Sequence, residues 1–141
     1  MSLAAIRNGL WYTLTACGPF GRNEVSACDF GIVENVAGCA IVFLPGTTKI
    51  DRQTYGNVFQ RNWGINGLGF IKDTGDSGST LSRVWQFHDD LYNTVIKDQS
   101  LGGAVQAAYL TGFNFNVNSS IDFGGGPIFF MVEWSMTAEE F

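Results

Sequence analysis

The sequence predicts an α+β fold: a mostly antiparallel sheet of about four strands with two helices packed on one face, in the order helix, hairpin, helix, hairpin. Three observations predict it. Apolar residues recur at steps of three or four near residues 3–14 and 81–96, alternate with polar ones in residues 105–117 and 128–137, and run unbroken over residues 38–44. The chain has 141 residues, 45% hydrophobic and 15% charged, so residues 1–141 read as one domain with enough apolar side chain for a core.

Residues 2–17 place Leu3, Ile6, Leu10 and Leu14 on one helical face, with Ser2 to cap the start and Gly18-Pro19 to end it. The next segment, GPFGRNEVSACDFGIVENVAG, has no clean period and reads as a connection, with a short turn of helix or strand near residues 29–34. Residues 38–44 are apolar at both parities, which suits a strand covered on both faces. The strand stops at Pro45-Gly46, and a polar tip over residues 46–57 leads to a return strand over residues 57–72. There the alternation slips: Trp63 and Ile65 share one parity, Leu68 and Phe70 the other. One extra residue at Asn66-Gly67, a β-bulge, would bring all four to the core face.

A second helix starts at Asp76 or Ser77, carries Leu81, Val84, His88, Leu91 and Val95 inward, and is widened by Trp85, Tyr92 and Ile96 before Gly102-Gly103. Val105, Ala107, Tyr109, Phe113, Phe115 and Val117 then share odd parity against Gln106, Asn114, Asn116 and Asn118, a strand with one polar face and a break at Gly112. After SSIDFGGGP, the residues Ile128, Phe130, Val132, Trp134 and Met136 form the core face of the last strand.

The chemistry of the chain is sparse. Thirteen acids against eight bases give a net charge of -5, which argues against affinity built on phosphate neutralisation. Cys17, Cys28 and Cys39 match no zinc spacing and read as reduced, buried thiols, with Cys39 the least accessible. No export signal and no apolar run long enough for a membrane span is present, so a soluble protein without membrane contact is expected. Neither a phosphate-binding G-x-x-x-x-G-K-[ST] loop nor a G-x-S-x-G nucleophile elbow occurs. His88 stands beside Asp89 and Asp90 on a helix, where residues one and two apart point in different directions, so it reads as a helix-face histidine. Asp73 and Asp76 read as a turn and a helix cap, because the rest of a calcium loop is missing. Trp11, Trp63, Trp85 and Trp134 fall on or beside apolar faces, with a core role expected and an interface role its rival. No catalytic, cofactor-binding or metal residue is assigned.

A starting helix, a connection containing Asp and Gly, an apolar strand ending in "FLPG", a polar tip, a return strand carrying Trp63 and Ile65, and a helix with an "R..V" start together resemble the tail-terminator (tail-completion) proteins of long-tailed bacteriophages. The resemblance runs over residues 3–137 in element order and length, although DFGIVENVAG and the terminal EEF match nothing in the pattern. It implies a virion protein made in the host cytoplasm. Such proteins form a hexameric ring of identical copies on the head-proximal end of the tail tube, stop its growth, and meet the major tail tube protein on one side and a head-completion or neck protein on the other. DNA would pass through without being held, and the net charge is compatible with that. The polar tip, with Lys49, Asp51, Arg52 and Tyr55, is the candidate contact between subunits or to the tube. Another head-tail connector, or a small cytosolic α+β enzyme or ligand-binding domain with a pocket of scattered residues, are the alternative readings.

Overall fold

The computed structural model describes residues 3–27, 39–46, 49–52, 59–73, 75–122 and 128–140. Helix α1 (Leu3–Ala16) is followed by strands β1 (Val25–Ala27), β2 (Cys39–Pro45), β3 (Lys49–Arg52) and β4 (Phe59–Lys72), helix α2 (Ser77–Lys97), and strands β5 (Ala107–Asp122) and β6 (Ile128–Glu140). They form one sheet in the order β1-β2-β4-β6-β5, with β3 also alongside β4. The α+β class and the expected element order hold, but the sheet is wider than four strands and is mixed, because β1 runs parallel to β2. That strand comes from the glycine-punctuated connection, where Val25 is buried and pairs with Ile41. Three residues are too few to show a period, so the sequence could not announce it. The turn expected near residues 29–34 lies outside the described residues.

Ile6, Leu10 and Leu14 of α1 and Val84, Phe87, Leu91 and Val95 of α2 share one core with Ile41, Phe43, Ile65, Ile71, Val132, Trp134 and Met136. Both helices therefore lie on one face of the sheet, each buried apolar side chain contributing about 1.5–3 kcal/mol. A smaller cluster, Ala40, Val42, Phe70 and Phe129 with Leu68 and Met131 against it, occupies the other face. This is why β2 is apolar at both parities.

The bulge expected at Asn66-Gly67 is not there. The β2–β4 ladder runs without a shift from Cys39↔Ile71 to Pro45↔Ile65, and β4–β6 runs unbroken from Arg61↔Glu140 to Lys72↔Phe129. Trp63 and Ile65 accordingly belong to the helix-side core, whereas Leu68 and Phe70 belong to the opposite cluster. The physical reason lies in two glycines. At Gly67 and Gly69 the helix side of β4 carries no side chain, and rings from neighbouring elements fill the space. A β-carbon at Gly67 would overlap the indole of its cross-strand partner Trp134, and one at Gly69 would come within 2.7 Å of Phe87 Cε1. The core stripe is continuous, but part of it is supplied by other strands and by α2.

A register shift does occur in β5, between Leu110↔Met136 and Gly112↔Ser135, where two β5 residues oppose one on β6. The break foreseen at Gly112 is thus present, and it corrects the odd-parity reading. Before the shift the core side holds Ala108 and Leu110, while Tyr109 is exposed and its hydroxyl donates to Glu139 Oε1 at 3.0 Å. After it Phe113 and Phe115 turn inward. A second shift separates Phe115 from Ser120. In β6, Val132, Trp134 and Met136 face the core as expected; Ile128 is exposed instead, and Phe129 enters the opposite cluster.

Asp76 caps α2 by accepting from Gly78 N at 3.1 Å, and Asp73 Oδ1 accepts from Gly75 N at 2.9 Å, the turn and cap expected of this pair. Beyond α2, Leu101, Gly102 and Gly103 all have positive φ, at 51°, 71° and 88°. Leucine tolerates this because its side chain is fully buried in the core. The loop is tied by Asp98, whose carboxylate accepts from Ser100 Oγ at 2.6 Å and Gly102 N at 2.8 Å. The hydroxyl of Ser100 is the largest influence holding its pKa below the usual carboxylate range. A depressed folded-state pKa contributes stability that is present above about pH 3.9 and disappears as pH falls through the folded value. Asp98→Asn should therefore melt a few degrees below the wild type at pH 7, and the gap should close in melts recorded near pH 2. A gap that persists unchanged in acid would show that the carboxylate's charge is not what ties the loop.

Candidate interaction surfaces

The polar tip is more ordered in its first part than its composition suggests. Lys49, Asp51 and Arg52 lie on β3, opposite Asn62, Gln60 and Phe59 of β4. Tyr55 lies outside the described residues. β2 pairs with β4 as far as Pro45↔Ile65, and β3 joins the same edge of β4 from Lys49↔Asn62 onward. Alternation could not reveal β3, because KIDR holds one apolar residue in four. The expectation of a polar tip over residues 46–57 is corrected at residues 49–52, which form a strand.

A second surface lies on the outer face of α2. Trp85 is 77% exposed, Tyr92 50% and Ile96 49%. Seven and eleven residues after Trp85 are nearly whole turns of a helix, so the three align in one stripe. Widening of the buried face by these residues was expected; instead Thr80, Val84, Phe87, Leu91, Thr94 and Val95 face inward and the stripe faces away. The other tryptophans do pack: Trp134 is buried, Trp63 is half-buried on the core, and half-buried Trp11 donates its indole N–H to Val25 O at 3.1 Å.

His88 sits on α2 with its ring edge-on to Phe113, centroids 4.3 Å apart, and its Nδ1 is 3.6 Å from Asp89 Oδ1. Adjacent helix positions thus reach one another here, contrary to the expected divergence, because both side chains are substantially exposed and free to turn. Among the described residues no group of three or more metal-ligating side chains gathers. No helix there is long and apolar enough to cross a membrane.

Crevices flank the helices. An apolar cleft of about 180 Å³ opens between the start of α1, the ends of β1 and β2 and the middle of β4, lined by Leu3, Ile6, Phe43, Pro45 and Ile65 with Arg7 beside them. Another of about 180 Å³ holds Glu24, Cys39, Arg83 and Asp90. Cys17 and Cys39 are free thiols, half-buried rather than fully buried because each sits at the end of its element; Cys28 lies outside the described residues. Burial, and after it Glu24, pushes the Cys39 thiol up to about 12, with Arg83 pulling the other way. That leaves on the order of 10³-fold less thiolate at pH 8 than in an ordinary cysteine. Alkylation of native protein by iodoacetamide at pH 8, followed by peptide mass spectrometry, should mark Cys39 at least about a hundredfold more slowly than the urea-unfolded chain; equal rates would refute the buried thiol.

No protein-family profile matches the chain, and no curated protein matches it in sequence.

Proposed function

We propose that the chain is a non-enzymatic structural subunit that assembles with copies of itself into a ring, a hexamer like the tail terminators it resembles, at the head-proximal end of a phage tail tube. There it stops tube growth and joins the tail to the head. One observation carries the reading: Lys49, Asp51 and Arg52 stand on β3, whose backbone is held against β4 by a ladder rather than lying in a loose loop. A laddered hairpin is suited to reach a neighbouring subunit or the tube. Lysine, aspartate and arginine on it supply directed, charge-assisted hydrogen bonds.

The test replaces residues 49–62 with Asn-Gly, which keeps Trp63 on the core and closes the arm with a type I′ turn. The shortened chain should melt within a few degrees of the wild type. It should fail to cap tubes in an assembly reaction with tail tube protein, giving tails of uncontrolled length by electron microscopy. Tails of normal length would show that the arm is not the contact.

A further inference from the structure

We infer that the Trp85 stripe on α2 of one copy seats in the apolar cleft at the start of α1 of the next, forming a head-to-tail interface. This rests on the ring reading and specifies how its subunits meet. The stripe and the cleft are made of different residues: the stripe lies on α2, and the cleft lies at the start of α1 against β1, β2 and β4. A knob and a hole in separate places can meet twice across a two-fold axis, or once per neighbour in a ring when the rotation between copies closes; the ring reading selects the second arrangement.

Size and charge both match. A dry cavity of about 150 Å³ holds a benzene ring, and the cleft, about 180 Å³ and lined by Leu3, Ile6, Phe43, Pro45 and Ile65, has room for the rings of one tryptophan. Trp85 is the most exposed large apolar side chain among the described residues, at 77%. Arg7 lies in the cleft wall, is exposed, bonds only the neighbouring Asn8 Oδ1 at 3.3 Å, and has no carboxylate partner among the described residues. Asp89, one helical turn beyond Trp85, is 71% exposed, and its carboxylate lies 3.6 Å from His88 Nδ1. With Trp85 in the cleft, Asp89 meets Arg7 at its rim, and Tyr92 covers the pair. An aromatic anchor in an apolar pocket with an arginine–carboxylate pair beside it is the composition of an interface hot spot.

Two variants test it, each damaging one half of the interface. Trp85→Glu removes the knob, and Ala4→Trp, on an exposed position of the cleft wall, fills the hole. Circular dichroism melts, expected to coincide with the wild type, establish that both fold. In sedimentation velocity the wild type should form a closed ring, alone or on added tail tubes, and each variant alone should be monomeric. An equimolar mixture should form a 1:1 heterodimer, since it contains one intact knob and one intact hole. Rings from Trp85→Glu alone would overturn this interface and leave the ring reading standing. Dimers of Ala4→Trp alone would mean that stripe meets stripe, which also overturns it. Rings that form normally from Trp85→Glu but no longer bind tubes would assign the stripe to the tube protein instead. A wild-type chain that stays monomeric with and without tubes would overturn both proposals.

Discussion

Gly67→Ala should destabilise the protein by about 3 kcal/mol, at the upper end of what overpacking a close-packed core costs. For a domain of this size that is a drop in melting temperature of about 10 °C. Gly67 pairs directly with Trp134 across the β4–β6 ladder, and a methyl group there would occupy the same space as the indole. The ring has little freedom to withdraw, since it is 3% exposed within the main core and Gly67 lies mid-strand, fixed by ladders to both β2 and β6. If the indole is the obstacle, the penalty should shrink when it is removed. In a Trp134→Leu background, Gly67→Ala should cost less than half as much, and the double-mutant cycle would measure the difference as coupling. An alanine variant that melts like the wild type would show that the indole does not lie over β4.

Phe87→Ala should cost about 3–5 kcal/mol, the range for removing a buried phenylalanine, and lower the melting temperature by about 10–15 °C. Phe87 is the α2 ring that fills the space over Gly69, and its centroid lies 6.0 Å from that of Phe20 and 6.2 Å from that of Phe113. It therefore ties α2 to β4, β5 and the segment after α1 at once. The void cannot collapse easily, because β4 offers only glycine at that position. Gly69→Ala combined with Phe87→Leu should melt above Phe87→Ala, since the added methyl replaces part of the lost ring. Thermal melts of the three variants check this; a Phe87→Ala loss below about 1 kcal/mol would contradict the packing described.

Both effects come from the place where sequence and structure part most clearly. The helices were legible because fourteen and twenty-one residues give several turns of periodicity. The double-sided β2 was legible because both its parities are apolar. In β4 the pattern counts only side chains that a residue brings itself, so Gly67 and Gly69 looked like a slip although their sites are filled by Trp134 and Phe87. In β5 the glycine signalled a break, but not that parity would reverse there and expose Tyr109. The candidate surfaces were legible unevenly. Lys49, Asp51 and Arg52 stood out as charges beyond a turn, whereas Trp85 was hidden by its own chemistry: a large aromatic on an amphipathic helix is ordinarily read as core. The α2 stripe is centred about a third of a turn from the buried face, an angle that hydrophobic periodicity resolves poorly when the apolar arc is wide. Asp98 carried no signal, since its role depends on the left-handed turn that follows it.

The two register shifts in β5 bear on solubility. β5 is an outer strand of the sheet, sixteen residues long, with no strand beyond it among the described residues. A straight edge of that length would offer a row of amide donors and acceptors to any other chain, the template on which cross-β aggregates grow. The shifts at Leu110/Gly112 and Phe115/Ser120 divide the edge into short segments whose hydrogen-bonding directions do not line up. An incoming strand would lose register after a few rungs. Copies that collide sideways therefore cannot zip together through their backbones.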